Sequence, residues 1–223
     1  MIRKGAACKP MESYKRFIQN HVELSEEEWL LFRSRLKTKR LKKGDAIRFR
    51  NDIWSQLYFI ADGLIRSYLV NKKGKEFTRH FHFNTSESDI LNLFVVDYTS
   101  FIDQVPSSVG FEVMEDSVLY VLERADAHRM YAMSAKWERY GRRVAEIAYI
   151  RKTALYEELL INDAKQRYIN LRNSMVEWIH KVPQYHIATF LGITPVTLSR
   201  IKKEVEAEED MSGQQVAPIK KSV

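Results

Sequence analysis

The sequence predicts an α+β chain: helices first, then an antiparallel β-rich middle rolled on itself, then helices to the end. Three observations point this way. Residues 11–37 and 134–203 repeat their apolar side chains every three or four positions, as one face of a helix does. Residues 39–123 break instead into short β-type runs parted by glycine turns, the pattern of a sandwich or roll. Near the carboxyl end, Gly192 separates two short helical patterns within QYHIATFLGITPVTLSRIKK, residues 184–203. With 223 residues, 45% hydrophobic and 29% charged, the chain is long enough for one large or two small cored domains.

The first helical stretch, 11–37, holds Ser25 with Glu28 three places on, a capping box. Trp29, Leu30, Phe32 and Leu36 supply its partly buried face. In the β region, Lys43-Gly44-Asp45 is a turn and Ala46–Arg50 a short strand. Gln56–Ile60 leads through Ala61-Asp62-Gly63 into Leu64–Val70, and Asn71-Lys72-Lys73-Gly74 turns the chain into Glu76–Phe83. Ser117–Leu122 closes the set. Within Glu76–Phe83, alternation sets Phe77, Arg79, Phe81 and Phe83 opposite Thr78, His80 and His82. The histidine pair reads either as two adjacent metal ligands or as an exposed strand face.

Residues 134–160 predict one long helix. Trp137, Tyr140, Val144 and Ile147 form a coiled-coil-like seam; Arg151 interrupts it, and Ala148, Leu155 and Leu159 continue one position over. The seam can pack on a twin helix or on the chain's own β-roll. Asp163–Lys181 predicts another helix, with Tyr168, Leu171, Met175 and Trp178–Ile179 inward and Val182-Pro183 ending it.

The last pair of helices is the most informative. Ile187, Ala188 and Leu191 share one face, and Gly192 can take the left-handed conformation that ends a helix. Thr194 can cap the next helix and Pro195 suits its first position. Leu198 and Ile201 then point inward, leaving Val196, Thr197, Ser199, Arg200, Lys202 and Lys203 outward. This is a helix-turn-helix, whose second helix would enter a DNA major groove; the alternative is a plain helical hairpin with a solvated basic face.

The string IATFLGITPVTLSRIKKE resembles the recognition segment of the Crp/Fnr transcription regulators, whose usual form reads like IASYLGITPETLSRI. The β region resembles the same family's cyclic-nucleotide-binding roll: KKGDAI, LYFIADGLIRSYLV, KKGKE, a proline-containing loop and MEDSVLYVL follow in order. The resemblance covers roughly residues 39–203. It implies a sensor roll with its N-terminal helices over 1–133, a dimerisation helix over 134–160 and a helix-turn-helix domain over 161–205. Residues 206–223 would be a disordered polar tail. The link from Trp178 to Pro183 is too short for a strand pair, so the family's β-wing is expected to be reduced or absent.

On this resemblance Arg200 would bond O6 and N7 of a guanine, with Ser199 facing the groove beside it. Val196 stands where relatives usually have glutamate, and offers only an apolar contact. Thr194, Thr197, Gln184, Lys202 and Lys203 would touch phosphates, although the lysines also suit a solvated helix end. The nucleotide cassette departs from the family. In VVDYTSFIDQVPSSVG, Ser107 follows Pro106 where the phosphate-holding arginine belongs, Asp97 stands near the glutamate position, and Val96 replaces a glycine. Cyclic AMP is therefore not expected. Asp97, Ser107 and Ser108 either line a pocket for another small-molecule effector or surround a filled cavity.

Net charge is +7 with a pI near 9.3, which suits an acidic partner such as DNA. The basic excess is spread over residues 1–50 as well as 163–203, so charge alone does not locate the interface. The single Cys8 excludes an intrachain disulfide and a multi-thiolate cluster, as befits a reducing cytoplasm. MIRKGAACKPM lacks the apolar core of an export signal, and no run is long enough for a membrane span. No nucleophile–base motif, phosphate loop or metal triad is visible, so neither an enzyme nor a cofactor or metal is expected. The expectation is a cytoplasmic homodimeric regulator binding double-stranded DNA, with RNA polymerase as a further partner. A ligand-binding or scaffold protein with a degenerate DNA motif is the alternative.

Overall fold

A computed structural model describes residues 10–47, 51–86 and 88–212. Cys8, the amino-terminal motif around it, the end of the expected Ala46–Arg50 strand and the tail beyond 212 lie outside the described residues. Two helices come first, α1 (Pro10–Gln19) and α2 (Glu26–Ser34). The expected capping box is present: Glu28 N–H donates to Ser25 Oγ at 3.2 Å, and Ser25 N–H donates to the Glu28 carboxylate at 2.9 Å. Trp29 and Phe32 are buried, but Leu30 is exposed. One step along a helix turns a side chain by about 100°, which carries Leu30 off the face its neighbours share.

The sheet is antiparallel, with strands β1 (Lys37–Leu41), β2 (Gln56–Val70), β3 (Glu76–His82), β4 (Phe94–Val95) and β5 (Val109–Glu123). Their order is β1-β5-β2-β3, and β4 pairs with β2. Short helices α3 (Ile90–Leu93) and α4 (Tyr98–Asp103) flank β4. Two strands are longer than the sequence suggests. β2 runs through Ala61-Asp62-Gly63 without a break, and β5 begins at Val109 rather than near Ser117. Ala61-Asp62-Gly63 is a bulge where the β2–β5 register slips, and it bends both strands. Only glycine fits at its centre: Gly63 has φ +102°, and an added Cβ would sit 2.6 Å from the Asp116 carbonyl oxygen. Ala46 contributes a single bridge to Glu112 rather than a strand.

Because the long strands bend, both of their halves face one interior. Tyr58, Ile60 and Ile65 of β2 meet Phe111, Val113, Leu119 and Val121 of β5 around the fully buried Trp54. The outer side of one half, with Phe59, Tyr120 and Leu122, is covered by α1, α2, α5 (Arg124–Met133) and α6 (Ala135–Ile161). The outer side of the other half, with Leu64, Phe81, Phe83 and Met114, is covered by the carboxyl-terminal helices.

The long helix forms as expected, but its first seam serves a different purpose. Trp137, Tyr140, Val144 and Ala148 are buried in the chain's own core; Trp137 stacks on Phe32 with ring centres 5.3 Å apart. Arg151, read as an interruption, pairs with Asp89 at 2.6 Å and so ties α6 to the cap of α3. The apolar residues left exposed on α6 are Tyr149, Ile150, Tyr156, Leu159, Leu160 and Ile161. Tyr149, Tyr156 and Leu160 recur at seven and four positions, a second stripe along the helix.

Next come α7 (Ala164–Ser174), a 3₁₀ turn (Ile179–Lys181), α8 (Gln184–Phe190) and α9 (Pro195–Ser212). The helix expected over 163–181 thus ends at Ser174, whose hydroxyl donates to the Leu171 carbonyl at 2.9 Å and competes with the helix ladder. Residues 206–212, expected as tail, are helical. Lys165 pairs with Glu204 at 2.8 Å and with Glu208, and Arg172 pairs with Glu209, so the acidic run fastens α9 to α7. Among the described residues, none of this carboxyl-terminal part is a strand.

Candidate functional site

The local chemistry of the helix-turn-helix follows the sequence closely. Gly192 has φ +70°; Ile193 N–H donates to the Ala188 carbonyl at 3.0 Å and Gly192 N–H to Thr189 at 3.4 Å. That is the Schellman closure of a helix by glycine. Thr197 N–H then donates to Thr194 Oγ1 at 3.1 Å, capping α9. Ala188, fully buried, gives the close approach of α8 and α9, while Leu198, Ile201 and Val205 fix the inner side of α9.

The outer side of α9 carries Val196, Ser199, Arg200 and Lys203 at three- and four-residue spacing, so they share one face. All four are exposed, Val196 to 68%. Arg200 makes no ion pair among the described residues, whereas Arg172 on α7 is neutralised. Thr197 and Lys202 are half-buried at the margin of this face. Thr194 is exposed but spends its hydroxyl on the cap, 2.9 Å from Thr197 Oγ1. Gln184 is exposed at the first position of α8, on a separate helix from the others.

The first helix of the pair is docked on the sheet, a contact between residues more than a hundred positions apart. β3 is an edge strand, and α8 lies along it. Thr78 N–H donates to Thr189 Oγ1 at 3.3 Å in a buried site, the two hydroxyls are 3.1 Å apart, and the Tyr185 hydroxyl donates to the Glu76 carbonyl at 3.4 Å. Phe190 packs on Phe81 with ring centres 5.4 Å apart. Further along the same edge, Phe83 N–H donates to the Asn92 carbonyl and the Asn92 side-chain amide donates to the Phe81 carbonyl. Edge groups that would otherwise face water are thereby paired.

Of the expected pocket residues, Asp97 and Ser107 bond to each other. Ser107 Oγ donates to the Asp97 carboxylate at 2.7 Å, and Val109 N–H donates back to Ser107 Oγ at 3.1 Å. Asp97 and Ser107 are buried, and Ser108 is exposed. None of the three lines a cavity of about 230 Å³ between β3, the α3–β4 segment and α6, although Val96 and Tyr98 on either side of Asp97 do. Its polar walls are Ser67, Arg79, His80, His82, Tyr98 and Lys152.

The histidines therefore do not form an exposed strand face. His82 is 5% exposed, with Nε2 3.1 Å from Ser67 Oγ and Nδ1 buried without a well-formed hydrogen bond. Burial lowers its pKa well below the usual value, His80 lowers it further, and the Leu91 and Phe94 carbonyls partly offset this. Burial takes His80 down to about 4, against the pull of Asp89. Lys152 is also lowered, first by burial and then by Arg79, with Asp97 opposing. Both histidines are thus neutral at pH 7, and the cavity's full positive charges are Arg79 and Lys152. Among the described residues no group of three metal-ligating side chains comes together.

No family model matches the chain, and no curated protein matches its sequence. Solved structures do match its shape. FixK2 from Bradyrhizobium japonicum is 16% identical, covering 82% of this chain and 90% of its own, with a TM-score of 0.62. A protein from Eubacterium rectale assigned to the Crp/Fnr family of transcriptional regulators is 20% identical, covering 83% and 85%, with a TM-score of 0.61. A CooA variant from Carboxydothermus hydrogenoformans is 15% identical, covering 82% of both chains, with a TM-score of 0.59. Roll, long helix and terminal helix-turn-helix, in that order, make up the fold of the Crp/Fnr transcription regulators, and this chain has that fold.

Proposed function

We propose that the chain is a homodimeric, sequence-specific DNA-binding transcription regulator of the Crp/Fnr type, acting in the cytoplasm and not as an enzyme. The observation that carries this reading is Arg200, exposed and unpaired on the outer face of a helix whose inner face is locked by Leu198, Ile201 and Val205. A guanidinium held at that position can bond O6 and N7 of guanine together. Ser199 and Val196 flank it on the same face; Lys202, Lys203, Thr197, Thr194 and Gln184 supply phosphate contacts. The second stripe of α6, Tyr149, Tyr156 and Leu160, supports pairing with a twin, since nothing among the described residues covers it. Two such chains would present two recognition helices to a pseudo-palindromic operator.

The effector, in this reading, is a small molecule other than cyclic AMP held in the roll, and RNA polymerase is the downstream partner. No helix among the described residues is long and apolar enough to cross a membrane. A free acidic tail after Lys203 would suit the scaffold alternative; instead Glu204 pairs with Lys165 and Glu209 with Arg172. Selection of duplexes from a random-sequence library by gel shift tests the proposal. Wild type should enrich a two-fold motif containing guanine, with affinity falling steeply as salt rises. Arg200→Ala should lose the guanine preference. An alanine variant that selects the same motif equally tightly removes Arg200 from the readout.

A further inference from the structure

The cavity between β3 and α6 has an uneven lining. Ile90, Phe94, Val144, Ala148 and Leu155 give it an apolar body, and Arg79, Lys152, His82 and Ser67 gather its polar groups. An apolar cavity of about 150 Å³ holds a benzene ring. One of about 230 Å³ therefore has room for a ring and a short arm, and is small for a nucleotide.

The charges sharpen the choice. Arg79 and Lys152 are both cationic walls, and Asp97, whose charge acts on Lys152, is already bonded to Ser107. Asp89, the acid nearest His80, is committed to Arg151. Two cations against one spoken-for acid leave room for a single negative charge. His82 adds no charge to the site, and its Nε2 is taken up by Ser67 Oγ at 3.1 Å.

We propose that this cavity binds a small carboxylate bearing one ring system, its carboxyl group held by Arg79 and Lys152 and its ring against Phe94, Val144 and Ala148. The inference rests on the reading of the roll as the sensor of a regulator, but its site is made by β3 and α6 and not by Asp97 and Ser107. β3 is also the strand on which α8 sits, so an occupant beside His80 and His82 touches the same strand that Thr189 grips.

Isothermal titration of the full-length protein with benzoate, phenylacetate and indole-3-acetate tests this, with phenylacetamide as the neutral match and cyclic AMP as a rival. At least one carboxylate should bind one per chain, ten-fold or more tighter than phenylacetamide. Lys152→Gln, a change at an exposed position, should weaken that carboxylate at least five-fold and leave the amide unchanged. Ala148→Leu, which fills the cavity, should abolish both, with unfolding midpoints reported alongside. If no carboxylate binds, if acid and amide bind equally, or if cyclic AMP binds more tightly, the proposal is overturned. Operator binding is measured separately: a chain that binds DNA but no carboxylate refutes only the ligand, and the converse refutes only the regulator.

Discussion

Replacing Thr189 with valine removes one oxygen and little volume, at the point where the helix-turn-helix meets the sheet. Thr78 N–H lies on the outer side of edge strand β3 and donates to Thr189 Oγ1 at 3.3 Å, with both residues buried. Valine leaves that N–H without an acceptor. Stranding a buried donor costs about 1–3 kcal/mol. At an RT of about 0.59 kcal/mol this multiplies the undocked population by roughly 5 to 160. Hydrogen exchange of the Thr78 amide reads it directly and should accelerate by that factor. The Val113 amide, bonded to the Asp45 carbonyl inside the roll, should exchange as before. Thr189→Ser keeps the hydroxyl and should retain protection. Unchanged Thr78 exchange in the valine variant would refute the reasoning, leaving the Phe190–Phe81 and Tyr185–Glu76 contacts to hold the docking.

Three other outcomes follow from the same structure. Gly63→Ala forces a Cβ to within 2.6 Å of the Asp116 carbonyl oxygen at φ +102°; backbone and packing costs together should lower stability by about 2–5 kcal/mol in urea unfolding, and an unshifted midpoint would contradict the bulge geometry. For His80 and His82 the folded pKa lies below the ordinary 6.5, so as pH falls past 6.5 the unfolded chain takes up protons that the folded chain refuses. Stability should therefore fall with acidity between 6.5 and about 4 for His80, by up to about 1.4 kcal/mol per pH unit per histidine, and a profile no flatter in His82→Gln would sink the assignment. Tyr156→Glu with Leu160→Glu places charge on the uncovered stripe of α6; sedimentation should show single chains with an unchanged fold, and a persisting dimer would move the interface elsewhere.

What could be read from the sequence was what short-range chemistry decides. The Gly192 closure, the Thr194 cap, the Ser25 box and the inward Leu198 and Ile201 depend on neighbours within a few positions, and each lies where its residues placed it. What the sequence hid depends on partners far away in the chain. β2 and β5 pass for shorter strands because the bend at Gly63 is set by Asp116 and Ser117 on the opposite strand. The long helix carries apolar residues on two sides, and periodicity cannot say which side faces the chain's own Phe32. His80 and His82 alternate with Phe81 as an outer face would; the roll turns them inward because α6 and α3 close over that end. The cassette resemblance singled out Asp97 and Ser107 but not the hydrogen bond between them, which joins residues ten apart. The carboxyl-terminal acids look like a solvated tail until Lys165 and Arg172, some forty residues upstream, are placed beside them.

The free rim of a β-sheet invites any extended chain to add itself as another strand. In this molecule the guard over that rim is the same helix pair proposed to read a base sequence, seated by Tyr185 and Thr189 along Glu76 and Thr78. A wide swing of the reading head would therefore uncover an adhesive border, with Phe77 already half in the open beside it. Motions that keep α8 in its seat and pivot α9 alone leave the border shut, which sets a bound on how far the helix pair can travel without cost.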